Sequence, residues 1–453
     1  MRKNFLVAVA TSFILLHLLF LGNMCYLYAT QFRDSSRLHN LNMLYVDFDG
    51  GVVGHSVLDA YSGLQAASFP TLQISTVNHY PQPRDVRTAV CRGDYWGAVY
   101  ANANASTSLA STLAGGTTMT NSTALTYIWN GARYPAFAQS AIEANIMTLI
   151  EATRLAFYGR NASSILQSAS LSNPNSLNAF LDPITATEIN IKTTDQGTRV
   201  LYNTVAFVMP IIQQFFFMMA LNGISSQFQV LTKLSHWGNG LLRMCISLAY
   251  TCLGALCMAG YIWAFRESWA VNGNQFVLCW MTIWLYMHIN FLIFDILTTF
   301  VPMQLMPFCV LTWAIMNVAS TISPFELNPG FFRWGYALPA HETYQILVQI
   351  WSNGCENQLD KALPVLFAWW VATVGGAVYS IKHRCHAALV AEHLAHQKAI
   401  SESDSHSVTS NRGSRPSSTR AMVTRERWQT VESIRMENVA YGPRFPTPMV
   451  HGA

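Results

Sequence analysis

The sequence predicts a multispanning α-helical membrane protein with six transmembrane helices and an extracytosolic α/β domain inserted between the first and the second. Its strongly apolar runs are each close to the ~20 residues that an α-helix needs to cross the hydrocarbon core. Hydrophobic residues make up 51% of the 453-residue chain and charged residues only 11%, whereas a soluble domain carries about 25% charged residues. Sequons for N-glycosylation occur only between the first run and the second, which indicates that this segment lies outside the cytosol.

The six predicted spans cross the membrane an even number of times, so both termini are expected on the same side, in the cytosol. Residues 1–4 include Arg2 and Lys3, and the positive-inside rule places this start in the cytosol. The first run is longer than a signal-peptide core of about 7–15 residues and has no A-x-A-type cleavage site, so we predict an uncleaved helix. A cleaved signal peptide is the alternative. The predicted spans are residues 5–29, 201–224, 242–265, 276–297, 300–320 and 364–381.

The long polar insertion, residues 30–200, is predicted to be the extracytosolic α/β domain. Runs typical of strands alternate with runs of helical periodicity, and glycine and aspartate mark the changes. The candidate glycosylation sites are the first residues of three sequons, Asn104, Asn121 and Asn161. Residues 170–198 are rich in Ser, Asn and Thr and are predicted as loop. The predicted strands are residues 43–48, 71–77 and 95–100, and the predicted helices are 53–64, 83–91 and 135–168, the last interrupted near residue 160.

Three other segments lie outside the predicted spans. Residues 321–363 are rich in aromatic residues and are expected at the extracytosolic membrane surface. Basic residues directly after residue 381 place residues 382–453 in the cytosol, as a disordered tail with a short helix at its start. The break at residues 225–240 contains Lys233 and no acidic residue, so it is also assigned to the cytosol.

Composition and motifs exclude several classes of function. The formal net charge of +4 is too small to favour nucleic acid as a partner. The phosphate-binding pattern G-x-x-x-x-G-K-[ST] does not occur, and neither G-x-S-x-G nor H-E-x-x-H is present. No Cys/His array has the spacing of a zinc site. We therefore predict no enzyme activity, no catalytic residue, no cofactor and no metal.

The sharpest polar cluster lies inside the predicted fourth span, at His288, Asn290 and Asp295. Ionisable groups at membrane depth are often functional, and His288 and Asp295, seven residues apart, share one helix face. They are the candidates for a polar path or a proton relay. In the alternative, Asp295 meets water or a basic partner near the cytosolic end, and His288 only bonds to a neighbouring helix.

Two cysteines, Cys91 and Cys355, lie in the predicted extracytosolic segments. The other cysteines lie in or beside predicted spans or in the cytosol. An extracytosolic pair can oxidise, so we predict a disulfide that joins the α/β domain to the segment before the last span.

Three further stretches resemble a known family. They are Leu44-Tyr-Val-Asp-Phe-Asp-Gly-Gly-Val-Val-Gly54, Gly93-Asp-Tyr-Trp-Gly-Ala-Val-Tyr100 with the Ala101-Asn-Ala-Asn-Ala-Ser106 that follows it, and Phe332-Arg-Trp-Gly-Tyr-Ala-Leu-Pro-Ala-His-Glu-Thr-Tyr344 leading to Leu366-Phe-Ala-Trp-Trp370. With these residues the chain resembles the fungal nitrosoguanidine-resistance family, whose members carry the DUF3533 domain. The layout of one helix, an external domain and five more helices is similar to the membrane subunits of type-2 ABC exporters.

The resemblance implies a membrane protein of the lipid bilayer that exports toxic compounds or confers resistance to them, with a link to membrane lipids. It offers no catalytic residues. An exporter would need a separate ATPase subunit or a proton gradient, and the layout is compatible with a homodimer. The alternative is a non-transporting regulator or scaffold that acts through another membrane protein. The plasma membrane is the expected location, with an endomembrane as the alternative.

Overall fold

A computed structural model describes residues 2–116, 123–170, 172–194, 197–266 and 269–409. The strands are β1 (Asn42–Asp47), β2 (Thr71–Ser75), β3 (Gly97–Ala101), β4 (Leu125–Trp129) and β5 (Ala186–Asn190). The helices are α1 (Arg2–Thr30), α2 (Val52–Leu64), α3 (Pro83–Arg92), α4 (Ala105–Leu113), α5 (Pro135–Phe137), α6 (Ala144–Ser168), α7 (Pro174–Leu181), α8 (Val205–Gln227), α9 (Val230–Lys233), α10 (His236–Ala264), α11 (Gly273–Phe300), α12 (Met306–Ala319), α13 (Pro339–Trp351) and α14 (Leu359–Thr409).

The described chain forms two compact units. The first unit contains the described residues up to Phe207, together with Ala259–Thr282 and Ile315–Val365. The second unit contains Val208–Met258, Ile283–Ala314 and the described residues from Leu366 onward. The first unit holds the sheet and the helices around it, and the second consists of parts of α8, α10, α11, α12 and α14 with the short α9.

A five-stranded mixed sheet organises the first unit. Its strand order is β2-β1-β3-β4-β5. Strand β1 is parallel to both β2 and β3, β3 and β4 are antiparallel, and β4 and β5 are parallel. Each parallel pair needs a crossover, and α2 and α3 are the helices that connect β1, β2 and β3 in sequence. The predicted α/β composition of this segment is thus observed.

Local sequence explains where α3 begins and ends. Gln82 and Asp85 form a reciprocal capping box, and Pro83 occupies the first turn, where its missing N–H is not needed. Gly93 ends the helix in the left-handed conformation at φ 85°, which glycine adopts without a Cβ clash. The helix packs its apolar face against the sheet in a buried cluster of Leu44, Val46, Tyr80, Val86, Ala89, Val90, Ala98, Tyr100 and Ile128.

Two parts of the α/β domain differ from the prediction. Strands β4 and β5 and helices α4 and α7 were not assigned from sequence, and β5 and α7 lie in the stretch that was predicted as loop. The expected interruption near residue 160 is wrong, because α6 is one helix from Ala144 to Ser168. A single glycine inside a helix costs only about 1 kcal/mol relative to alanine, which the flanking helix formers tolerate. The predicted helix begins with the short α5, which is followed by a π-helical segment, Ala138–Glu143, before α6.

Within the part of the chain that the structure describes, five helices are long and apolar enough to cross a membrane: Val9–Thr30, Val205–Gln227, His236–Ala264, Gly273–Phe300 and Leu359–Lys398. The protein is therefore a multispanning helical membrane protein. The predicted span at residues 300–320 differs, since α11 continues to Phe300 and α12 has only 14 residues. At 1.5 Å per residue, α12 is about 21 Å long, which is shorter than the ~30 Å hydrocarbon core. Pro302 precedes the 3₁₀ turn Met303–Leu305, and it helps to set this late start because the residue before a proline avoids the helical region.

The last helix is much longer than the predicted span at residues 364–381. Helix α14 runs without a break from Leu359 to Thr409. The helix expected at the start of the tail is therefore present, but it is continuous with the span, and the expectation of disorder beyond it is wrong as far as residue 409. Basic residues mark where a chain leaves the membrane but do not end a helix, and the following Ala, Leu, Glu and Lys residues favour helix. Residues 410–453, the rest of the predicted tail, lie outside the described part of the chain.

Candidate functional site

A buried ionic network lies in the second unit around Asp295 of α11. Both Nη2 of Arg243 and Nη2 of Arg384 reach Oδ1 of Asp295, at 2.7 Å and 3.3 Å. The three side chains are only 5–11% exposed. Arg243 comes from α10 and Arg384 from α14, so one carboxylate joins three helices.

Polar side chains complete the network. Oδ1 of Asn222, on α8, accepts hydrogen bonds from Nη2 of Arg243 at 2.6 Å and from Nη1 of Arg384 at 2.8 Å. Arg384 also donates to Oγ1 of Thr298 at 2.7 Å and to Oγ1 of Thr299. Burying a guanidinium group costs much free energy unless hydrogen bonds satisfy its N–H donors. These acceptors therefore lower the free-energy cost of burying Arg243 and Arg384.

The helical continuation of α14 brings Arg384 into this network. Arg384 follows Ser380 by four residues, so both side chains lie on one face of the helix. Oγ of Ser380 donates to the backbone oxygen of Asp295 at 3.4 Å and is also bonded to Oγ1 of Thr299. A chain that left helical geometry at residue 381 would not hold Arg384 in this register.

A cavity of about 700 Å³ opens between α10, α11 and α14 of the second unit. Its lining is mainly apolar. The charged groups in it are the buried Arg243 and Asp295 and the exposed Lys382, and two exposed histidines, His236 and His386, also line it. The charged groups therefore lie both in the interior and at the mouth. The apolar lining residues are Trp237, Leu241, Met244, Phe291, Leu292, Ala377, Val378 and Ile381.

A second cavity, of about 470 Å³, also includes Arg243 in its lining. It is also bordered by Asn222, Thr298, Thr299 and Arg384, four further members of the network. The ionic network therefore contacts both of these cavities. Ligand pockets typically enclose about 300–1,000 Å³ and combine apolar walls with a few placed polar groups, and both cavities fall in this range.

His288 and Asn290, the other two residues of the predicted polar path, have partners of their own. Nδ1 of His288 accepts a hydrogen bond from the indole N–H of Trp370 at 2.9 Å. Since an indole can only donate, Nε2 of His288 carries the proton and donates to Oγ of Ser247 at 3.1 Å.

Asn290 bonds separately, because its Oδ1 accepts from Nε1 of Trp313 at 2.7 Å and its Nδ2 donates to the backbone oxygen of Tyr286. His288 and Asn290 are thus bonded to different partners from those of Asp295. The observed contacts tie neighbouring helices together rather than linking the three predicted residues into one chain.

The first unit contains a disulfide cluster, which we define as Cys91, Cys355, Arg133, Glu356 and Trp96. Cys91 and Cys355 form a disulfide across 264 residues of sequence. The next residue, Glu356, donates its backbone N–H to the carbonyl of Cys91 and forms a 3.0 Å ion pair with Arg133, whose guanidinium lies 3.5 Å from the ring centroid of Trp96. Glu356 also approaches the end of α3 so closely that a Cβ on Gly93 would lie 2.5 Å from its Oε2.

Glu356 should make the stability of the first unit depend on pH. Burial raises the pKa of its carboxyl above the ordinary value, and Arg133 only partly opposes this. The folded state therefore holds the proton more tightly than the unfolded chain, and this stabilisation is lost as pH rises through the raised pKa. We expect the melting temperature of the native protein, relative to that of Glu356→Gln, to fall as pH rises from 4.5, the ordinary pKa of a glutamate. Thermal unfolding of both proteins in the same detergent between pH 4.5 and pH 8 measures this difference in melting temperature. A difference that stays constant over this pH range contradicts a raised pKa for Glu356.

The three sequons differ in their structural setting. Asn104 is exposed at the start of α4 and has a left-handed backbone with φ 61°. Asn161 is half-buried within α6, where its Nδ2 donates to the backbone oxygen of Phe157. Asn121 lies outside the described residues.

Sequence reasoning missed the partners of both ionic clusters. Arg243 and Arg384 were interpreted only as marks of the cytosolic side. Arg243 is the second residue of the predicted span 242–265, Arg384 follows the span 364–381 by three residues, and Asp295 lies two residues before the end of the span 276–297, so all three lie at a similar depth near the cytosolic ends of predicted spans. That shared depth was the signal that could have paired them. Nothing in the sequence pattern linked Arg133 to Glu356. The two residues are 223 positions apart in the sequence, and they form their ion pair beside the Cys91–Cys355 disulfide.

Comparison with known proteins agrees with the membrane character of the fold. Residues 12–375 match a family described as "Protein of unknown function (DUF3533)". A curated relative from Saccharomyces cerevisiae, "Uncharacterized endoplasmic reticulum membrane protein YJR015W", is 29% identical over 108 residues, which are 23% of this chain and 21% of the yeast protein. No solved structure matches the chain significantly. Because the family match covers most of the sequence and includes the α/β domain and four of the five long helices in full or in large part, the chain belongs to the DUF3533 family.

Proposed function

We propose that the protein is a permease that exports toxic or lipid-like amphiphiles and thereby confers resistance to them. The observation that carries this proposal is the 700 Å³ cavity between α10, α11 and α14, which combines apolar walls with charged groups. A molecule with an apolar body and a polar head is complementary to such a lining. A cavity within long apolar helices is also open to compounds that partition into the bilayer.

The energy source in this proposal is a separate ATPase subunit. The sequence has no phosphate-binding loop of its own. A proton route through His288 and Asp295 is less favoured, because both ring nitrogens of His288 are engaged and Asp295 is paired with two arginines. The turn around α9, between α8 and α10, is the proposed docking segment, and the similarity in layout to type-2 ABC exporters supports a dimer.

The transport proposal is tested on the complex purified by affinity from native membranes and reconstituted into liposomes with a fluorescent amphiphile and ATP. We expect movement faster than in empty liposomes. Ala377 lines the cavity, so Ala377→Phe should fill part of it and reduce the rate by at least about fivefold, as expected for a loss of roughly 1 kcal/mol in a well-fitted pocket. Ala372→Phe on the same helix, at an exposed position outside the lining, is the matched control. Rates equal to those of empty liposomes would count against transport.

The proposed topology places the α/β domain outside the cytosol and uses α12 as a short sixth crossing. Glycosylation tests the first part. We expect an N-glycosidase to shift the electrophoretic mobility of the protein from eukaryotic cells. Asn104→Gln should remove part of that shift, since Asn104 is exposed. Asn175→Gln, in the same domain but outside any sequon, is the control. A protein that carries no glycan would contradict the extracytosolic placement.

The endoplasmic reticulum is the proposed location, with the plasma membrane as the alternative. The yeast relative, described as an endoplasmic reticulum membrane protein, supports the former. Glycans that remain sensitive to endoglycosidase H, together with imaging of a tagged chain, distinguish the two membranes.

A non-transporting scaffold is the second candidate function, and α14 favours it. Beyond Ile381 this helix continues for 28 residues to Thr409 (409 − 381). Val390 and Leu394, four residues apart on one face, are 43% and 59% exposed. Such a stripe fits a partner helix. If truncation after Leu389 releases copurifying proteins while transport by the complex persists, the stripe serves assembly alone.

A further inference from the structure

The Cys91–Cys355 disulfide lies at the wall of a cavity of about 580 Å³ in the first unit. Both cysteines line this cavity; Cys91 is partly exposed, whereas Cys355 is only 5% exposed. The volume falls within the range of about 300–1,000 Å³ that is typical of small-molecule pockets. The cavity therefore gives a small molecule access to the disulfide from the side of Cys91.

Among the described residues, the lining of this cavity contains two basic side chains and no acidic one. They are the exposed Arg87 and the half-buried Lys192, which give a net charge of +2 (2 − 0). Arg87 precedes Cys91 by four residues on α3, so the two side chains lie on one face of that helix. Nζ of Lys192 donates a hydrogen bond to the backbone oxygen of Ala270. Neither Arg87 nor Lys192 forms an ion pair with a carboxylate in the described part of the chain.

The carboxylates beside the disulfide are already paired with other arginines. Glu356 pairs with Arg133 at 3.0 Å, and Asp94 pairs with Arg92 at 3.1 Å. Burial lowers the pKa of the Lys192 ammonium group below its ordinary value, as expected for a cation that is removed from water without a counter-charge. A negatively charged molecule in the cavity would supply this counter-charge and would be attracted by both basic groups.

The loop that carries Cys355 has an uncommon backbone conformation. Asn353 and Glu356 are left-handed, with φ 58° and 59°, and Gly354 has φ 97°. Residues other than glycine adopt this region rarely, and they stay in it only where surrounding contacts maintain it. The disulfide is a covalent contact between this loop and α3. Opening the bond would therefore let the loop relax, which favours Cys355 as the leaving group.

We propose that the Cys91–Cys355 disulfide undergoes thiol–disulfide exchange with a small thiol of net negative charge, which the cavity attracts through Arg87 and Lys192. The thiolate sulfur attacks Sγ of Cys91 and forms a mixed disulfide, while the bond to Cys355 breaks and its electron pair leaves on Sγ of Cys355. A second small thiolate attacks the small-molecule sulfur of the mixed disulfide and releases Cys91. Two small thiols are thereby oxidised to one disulfide, and the two protons that they lose return to the two cysteines. The reverse sequence forms the bond, and neither direction depends on the proposed transport.

The test measures how fast thiols of different charge open the disulfide in the folded full-length protein in detergent. The probes are glutathione, which is negatively charged, and 2-mercaptoethanol, which is neutral; alkylation and mass spectrometry quantify free Cys91 and Cys355. Each rate is divided by the rate of the same thiol with the neutral hydroxyethyl disulfide. We expect the normalised rate of glutathione to be at least about tenfold higher, the lower end of the gain that a charged cleft gives. Arg87→Gln and Lys192→Gln should each remove about half of this gain on a logarithmic scale, a loss of about threefold.

Two further variants separate charge from folding. Lys192→Arg keeps the positive charge and should keep the preference for glutathione. Arg84→Gln, at an exposed arginine of α3 outside the described lining, should leave the preference unchanged. Equal normalised rates for the two thiols, or equal effects of Arg87→Gln and Arg84→Gln, overturn the proposal. A disulfide that opens only with a protein dithiol, or only when the protein unfolds, also overturns it, because the cavity then gives a small thiol no access to the bond.

Discussion

Asp295→Asn is expected to destabilise the second unit by about 3–5 kcal/mol, the usual effect of removing one partner from a buried ion pair. The variant keeps the volume of the side chain but leaves Arg243 and Arg384 facing each other with no carboxylate between them. Both guanidinium groups remain buried, and the charge of the network rises from +1 to +2 (2 − 0). Thermal unfolding in detergent, followed by tryptophan fluorescence and by the loss of monodisperse protein, measures the change.

The charge explanation is separated from a packing explanation by a double variant. Asp295→Asn with Arg243→Gln restores the wild-type net charge of the network, since only Arg384 then remains charged. We expect the double variant to lose less stability than the sum of the two single variants, which is the mark of coupled residues. Asp360→Asn, at an exposed aspartate in the first turn of α14, is the control and should change stability by no more than about 0.5 kcal/mol. Strictly additive losses would show that charge does not couple Arg243 to Asp295.

Sequence predicts those parts of the fold that depend on local pattern. Helix α2 and strand β1 follow from periodicity, and four of the long apolar helices lie close to their predicted positions. Strand β5, with the sequence Ala-Thr-Glu-Ile-Asn, contains too few apolar residues to be recognised, and its pairing with β4 is what makes it a strand. The end of α14 was missed for the opposite reason, because the chain stays helical after its composition ceases to be apolar.

The candidate site shows the same division. Asp295 was identified because a carboxylate inside an apolar run is rare. Its pairing with Arg243 and Arg384 depends on how α10, α11 and α14 are rotated about their axes, which a sequence without structure does not specify. The same holds for His288, whose partners Ser247 and Trp370 come from two different helices. Local pattern therefore finds the unusual residue, and only packing shows whether that residue is a ligand group or a structural one.

Loss of the Cys91–Cys355 disulfide is expected to lower the stability of the first unit by about 2–5 kcal/mol, the range found when native disulfides are removed. The bond closes a loop of 264 residues, and a long loop gives the unfolded chain much freedom that the bond removes. It also holds Glu356 against Cys91 and Arg133 within the disulfide cluster. Cys91→Ser and Cys355→Ser should each lower the midpoint of thermal unfolding.

The disulfide prediction has an internal check, because each single variant and the double variant remove the same bond. All three should therefore unfold at nearly the same temperature, and a reductant should lower the midpoint of the wild type to theirs. Cys245→Ser, at an exposed free cysteine of α10, should behave as wild type with and without reductant. The oxidised state itself is checked by maleimide labelling of the denatured, unreduced protein, in which Cys91 and Cys355 must stay unmodified. Labelling of both cysteines, or a double variant much less stable than either single one, would mean that packing at these positions rather than the covalent bond stabilises the unit.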